Sequence, residues 1–133
     1  MREILFKGKR IDNGEWIEGG YCQSSAGKTY IVGVSPKRGY IGGLEVFPET
    51  ICQCTGLKDK NGNKIWENDI VKGLFYHELE VKAVVAFLYG SFGLKWNRGD
   101  VVEFSPFTSI CNCKYEIIGN IFDNPELLEG GAE

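Results

Sequence analysis

The alternation of apolar and polar positions along the chain reads as strands divided by tight turns. Ile4-Leu5-Phe6 opens a first strand, and Trp16-Ile17-Glu18-Gly19-Gly20-Tyr21 returns beside it. Between them Asp12-Asn13-Gly14 holds an Asn-Gly pair, which supplies the positive φ of a hairpin turn. The result is an N-terminal hairpin, and its paired glycines predict a bulge or sharp coiling. Ser24 to Lys28 is a turn and Thr29 to Val34 a third strand. Ser35 to Gly43, polar and rich in glycine, reads as a loop. Glu45 to Thr50 leads into a strand over Ile51 to Thr55, and Pro48 argues against a central strand there.

Asn61-Gly62 is the strongest hairpin signal of the chain. Lys64-Ile65-Trp66 follows, then a turn at Glu67-Asn68, then Asp69-Ile70-Val71-Lys72. Leu79 to Tyr89 is a long strand that alternates at first and then turns apolar throughout, which predicts cover on both faces. Phe92 to Trp96 is its antiparallel partner across Gly90-Ser91. Asn97 to Asp100 makes a turn, Val101 to Phe104 a short strand, and Tyr115 to Ile121 the last strong strand. One helix start is convincing: Asn124 as N-cap, Pro125 at the first helical position and Glu126 at the positive end of the dipole. That C-terminal helix is short, because Gly130-Gly131 ends it.

Turn signals every eight to twelve residues are the all-β pattern. The 133 residues, with 43% apolar and 25% charged side chains, match an ordinary globular domain and exclude a disordered, collagen-like or coiled-coil chain. A single domain over residues 1–133 is expected. A soft boundary near Thr55 to Leu57 divides it into an N-terminal β subdomain, 1–55, and a C-terminal one, 56–133, the size of a small barrel. Met1 is followed by charge at Arg2 and Glu3, so no secretory leader is expected. The longest apolar run, Ala83 to Tyr89, falls far short of the ~20 residues that span a bilayer. Both observations point to the cytoplasm and away from the membrane.

Fifteen basic and eighteen acidic side chains give a net charge of −3, which disfavours nucleic-acid binding by bulk charge. Arg2, Lys7, Lys9 and Arg10 form a local basic stretch. As a strand it sets Lys7 and Lys9 on one face and Phe6 and Gly8 on the other. It reads as a solvated edge strand guarded by lysine. The alternative is a phosphate-facing nucleic-acid module that adds the 36–43 loop with Lys37 and Arg38. Trp16, Trp66, Trp96, Tyr40, Tyr76 and Phe107 could then stack bases, although in a small β domain such rings mostly build the core.

Four of the five cysteines lie in two C-x-C pairs, Cys52 with Cys54 and Cys111 with Cys113. A zinc-binding module would need all four, but zinc knuckles favour longer spacings. In a strand, C-x-C sets both thiols on one face, where cysteine packs as a small apolar residue. The metal and cofactor sites are therefore read as none. Catalytic residues are read as none also. The single histidine, His77, has no Ser, Cys or metal-ligand partner at a recognisable spacing. Glu67, Asp69 and Asp59 flank turns, which acidic side chains shape by bonding the local backbone.

The stretch Thr55-Gly56-Leu57-Lys58-Asp59-Lys60-Asn61-Gly62, followed by Ile65-Trp66-Glu67-Asn68-Asp69-Ile70-Val71, resembles the signature of the YopX family, small proteins encoded by phages and prophages of Gram-positive bacteria. Met1-Arg2-Glu3-Ile4 with Phe6-Lys7-Gly8-Lys9 is similar to the family's opening. Tyr115-Glu116-Ile117-Ile118-Gly119-Asn120-Ile121 with Asn124-Pro125-Glu126-Leu127 is similar to its close. Asn68 stands where the family usually has glycine, and Cys54 where it has an aromatic. Asparagine tolerates the left-handed turn, and Cys54 in place of a ring supports packing over metal binding. The resemblance implies an SH3-like β-barrel in a mostly β chain and implies no activity. The expectation is a non-enzymatic phage accessory protein that binds another protein, or itself as a homo-oligomer, through a strand edge or an aromatic patch.

Overall fold

The computed structural model describes residues 4–35, 39–75, 79–88, 90–98, 101–106 and 115–128. The chain is mostly β, and its described residues form eleven strands in two antiparallel sheets. They are β1 (Phe6–Lys9), β2 (Trp16–Gln23), β3 (Thr29–Ser35), β4 (Gly39–Glu45), β5 (Cys52–Lys58), β6 (Lys64–Trp66), β7 (Asp69–Phe75), β8 (Leu79–Leu88), β9 (Ser91–Arg98), β10 (Val101–Pro106) and β11 (Glu116–Asn120). One sheet runs β4-β3-β2-β1-β5-β6 and the other β10-β9-β8-β7-β11. The chain divides into two compact units, Met1–Cys54 and Thr55–Glu133, with the division inside β5.

In the first unit β2 serves two neighbours in succession. Trp16 to Gly19 pair with β1, and Gly20 to Gln23 pair with β3. The strand changes partner at Gly19-Gly20, and a Cβ at Gly19 would lie 2.0 Å from the Val32 carbonyl oxygen. Only glycine permits that approach. The end of β4 is bridged back to β1 through Arg10 and Val46. Ile31, Val46 and Thr29 are buried within this unit.

Three readings change here. β1 lies between β2 and β5, so it is an interior strand and not an edge. The expected face assignment holds, since Gly8 is buried against Val46 and Ile51. Residues 39–43, read as loop, lie in β4, because pairing with β3 supplies a ladder that glycine content alone would not favour. At the C-terminus Pro125–Leu127 form a single 3-10 turn. The Asn124 side chain does not cap that turn; its Oδ1 accepts the Asn120 N–H at 3.3 Å. The Gly130-Gly131 end expected for a helix lies outside the described residues.

The second unit is built on the meander β7-β8-β9-β10, with β11 antiparallel beside β7. Its core is Ile65, Val71, Ala83, Val85, Leu94 and Tyr115, with Leu57, Trp96 and Ile117 packed against it. Period-two alternation explains the selection: Ala83 and Val85 lie on one face of β8, opposite Val71 and Leu94 in register. The described residues form no closed barrel. Among them no helix is long and apolar enough to cross a membrane.

Candidate functional site

Two of the three turn carboxylates, Asp59 and Asp69, are engaged by the backbone. Asp59 is buried in the β5–β6 turn. Its Oδ1 accepts the Asn61 and Asn63 N–H groups, both at 2.9 Å, and its Oδ2 accepts the Ile117 N–H on β11 at 3.0 Å. Burial pushes the Asp59 pKa up, but the donors from Ile117, Asn63 and Asn61 outweigh it and hold the carboxyl below its ordinary value. Asp69 is also buried, and its Oδ2 accepts the Trp66 N–H at 2.8 Å across the Glu67-Asn68 turn. Asn68 takes a φ of 71° there, the left-handed conformation that asparagine tolerates. Both aspartates therefore shape turns, as read from the sequence.

Cys52 and Cys54 are buried on β5, and the Cys52 thiol donates to the Thr50 carbonyl at 3.2 Å. Cys111 and Cys113 lie outside the described residues, as do Arg2, Lys37, Arg38, Tyr76, His77 and Phe107. The rest of the basic stretch has local partners. Arg10 makes a two-pronged contact with Asp12, at 3.0 Å through Nε and 2.7 Å through Nη2. The Lys7 and Lys9 ammonium groups stand 4.6 and 5.4 Å from the Trp16 ring centroid. This is a cation–π arrangement. Trp66 is buried at 5% exposure, and Trp96 packs against the second core. Tyr40 lies on β4. The described side chains thus do not assemble the aromatic platform considered above.

A different aromatic pair comes together. Phe87 on β8 lies opposite Phe92 on β9, with ring centroids 4.9 Å apart in an edge-to-face contact. By alternation the pair shares a face with Val85 and Leu94, which are fully buried. It sits one step further along the hairpin, where the core has ended, and Phe87 is 51% exposed. The expectation that both faces of this strand are covered to Tyr89 therefore fails at Phe87. Leaving a phenylalanine half exposed forgoes about 1 kcal/mol of burial. Sequence reasoning missed the pair because it took the apolar run as wholly interior. The signal was present: positions 83, 85 and 87 and positions 92, 94 and 96 mirror one another across the turn, so the residues beside it must overhang.

The family described as YopX protein matches residues 5–129. Protein EF1440 from Enterococcus faecalis, known from a crystal structure, is similar to this chain in fold. The two share 24% identity over 97% of this chain and 100% of that one, with a TM-score of 0.58. No curated protein matches.

Proposed function

Because the chain belongs to the YopX family, we propose that it is a non-catalytic accessory protein of a phage or prophage, acting in the bacterial cytoplasm by binding another protein or a second copy of itself. The edge-to-face Phe87–Phe92 pair, with Phe87 half exposed, carries this reading. Aromatic side chains are the common anchors of protein interfaces, and a partner that covers them recovers the burial forgone in the free chain. The turn-shaping roles of Asp59 and Asp69 and the packing of Cys52 and Cys54 support binding over catalysis or zinc. The lysines over Trp16 and the Arg10–Asp12 pair favour protein over nucleic acid as the partner. A four-strand meander whose fifth strand returns beside the first has the order of an SH3-like barrel, and on this reading the second unit is a variant of that scaffold.

The test compares the wild-type chain with Phe87→Asp. Sedimentation across a concentration series reads self-association, and affinity capture from the infected host reads a foreign partner. The expected result is an assembly or a specific captured protein that the substitution abolishes while the circular dichroism spectrum stays unchanged. Sedimentation as a monomer throughout, together with the same captured set for both chains, would contradict it.

A further inference from the structure

Two Asn-Gly pairs lie in exposed turns, Asn13-Gly14 and Asn61-Gly62. In both the glycine N–H is hydrogen-bonded, Gly14 to the Arg10 carbonyl at 2.9 Å and Gly62 to the Asp59 carbonyl at 3.0 Å. The asparagine side chains differ. The Asn13 amide is tied at both ends: its Nδ2 donates to Glu15 Oε1 and its Oδ1 accepts the Glu15 N–H, each at 2.9 Å. The Asn61 side chain makes no hydrogen bond to any described residue; its backbone N–H alone is engaged, with Asp59.

We propose that Asn61 is a site of spontaneous deamidation and that its modification loosens the Asp59 grip of the β5–β6 hairpin on β11 at Ile117. The Gly62 nitrogen bonds to the Asn61 side-chain carbonyl carbon, and the bond from that carbon to Nδ2 breaks. Nδ2 leaves as ammonia, taking up the Gly62 N–H proton, and a cyclic imide remains. Water adds to one imide carbonyl and opens the ring to aspartate or isoaspartate, with no change of oxidation state. A Cβ built on Gly62 meets no atom within 4 Å, so the turn has room for the ring. Attack at Asn13 first requires breaking both side-chain bonds, which the Asn61 side chain does not make with any described residue.

The consequence follows from the position of the linkage. Asn61 and Asn63 both donate to Asp59 Oδ1, and Asp59 N–H donates to the Asn63 carbonyl at 2.8 Å. Isoaspartate adds a methylene to the main chain between these two donors. They can then no longer meet one oxygen in the same geometry. The same carboxylate holds Ile117 through its other oxygen, so the grip on β11 loosens with the turn.

The full chain, incubated warm in mildly alkaline buffer, tests this by peptide mass spectrometry, isoaspartyl methyltransferase labelling and amide exchange. Asn61 is expected to convert on the order of tenfold faster than Asn13, the factor set by the two bonds broken first. Exchange at Ile117 should quicken in the converted fraction, and the Asn61→Ser chain should show no such change on incubation. Conversion at Asn13 as fast as at Asn61, or unchanged Ile117 exchange in converted chains, would overturn the proposal.

Discussion

At the scale of single residues, Asp59 closes the turn that introduces the second unit. One carboxylate accepts three main-chain N–H groups from two elements far apart in sequence. Asparagine at this position offers one acceptor oxygen and turns a donating amide toward an N–H group. Asp59→Asn should therefore cost about 2–4 kcal/mol, read by urea unfolding at neutral pH. The pH dependence has a definite sign. The folded pKa is depressed, so the stabilisation is complete above the unfolded value near 3.9 and is lost as pH falls through the folded value. The wild-type chain should lose stability more steeply than Asp59→Asn below about pH 4, an outcome that acid titration of the unfolding midpoint checks. The turn role of Asp59 was readable, since an Asx residue two places before Asn-Gly bonds its own loop. Its reach to Ile117 was not, because nothing local in sequence says which strand will lie beside a turn. Asn68 was readable in full, since its left-handed φ is a local property of the Glu67-Asn68 turn.

At the scale of elements, two glycines mark close approaches of unequal rigidity. A Cβ at Gly19 would strike the Val32 backbone, whereas one at Gly119 would strike the side chains of Asn124 and Leu127, at 2.6 and 2.8 Å. A strand cannot yield without breaking its ladder, while side-chain ends can rotate away. Gly19→Ala should thus cost about 3 kcal/mol or more and Gly119→Ala nearer 1 kcal/mol, with thermal unfolding reporting the order. An equal loss in both variants would contradict this account of the β2 corner. The strands themselves were legible, from the Thr29 strand to the mirrored pair across Gly90-Ser91, because period-two alternation and turn residues are local signals. Strand β4 was hidden because its glycines gain order only from pairing with β3. The interior place of β1 was hidden too: lysines at Lys7 and Lys9 mimic edge protection, yet here they lie over Trp16 while both sides of the strand are paired.

At the scale of the whole molecule, the sequence located the all-β class and the family, but not the surface. Sheet order depends on long-range pairing, and exposure at Phe87 depends on where a core ends, a property of assembled units and not of a window of residues. Phe87→Ser should lower stability by about 1 kcal/mol or less, since half of the ring is already in water. Its larger effect should be on association, because the pair overhangs a core that does not need it. Amide hydrogen exchange of the wild-type chain, free and within the proposed assembly with a partner or with a second copy, tests this most directly. The account predicts new protection centred on residues 86–93, absent with Phe87→Asp. Protection elsewhere with those amides unchanged, or no assembly at all, would contradict it.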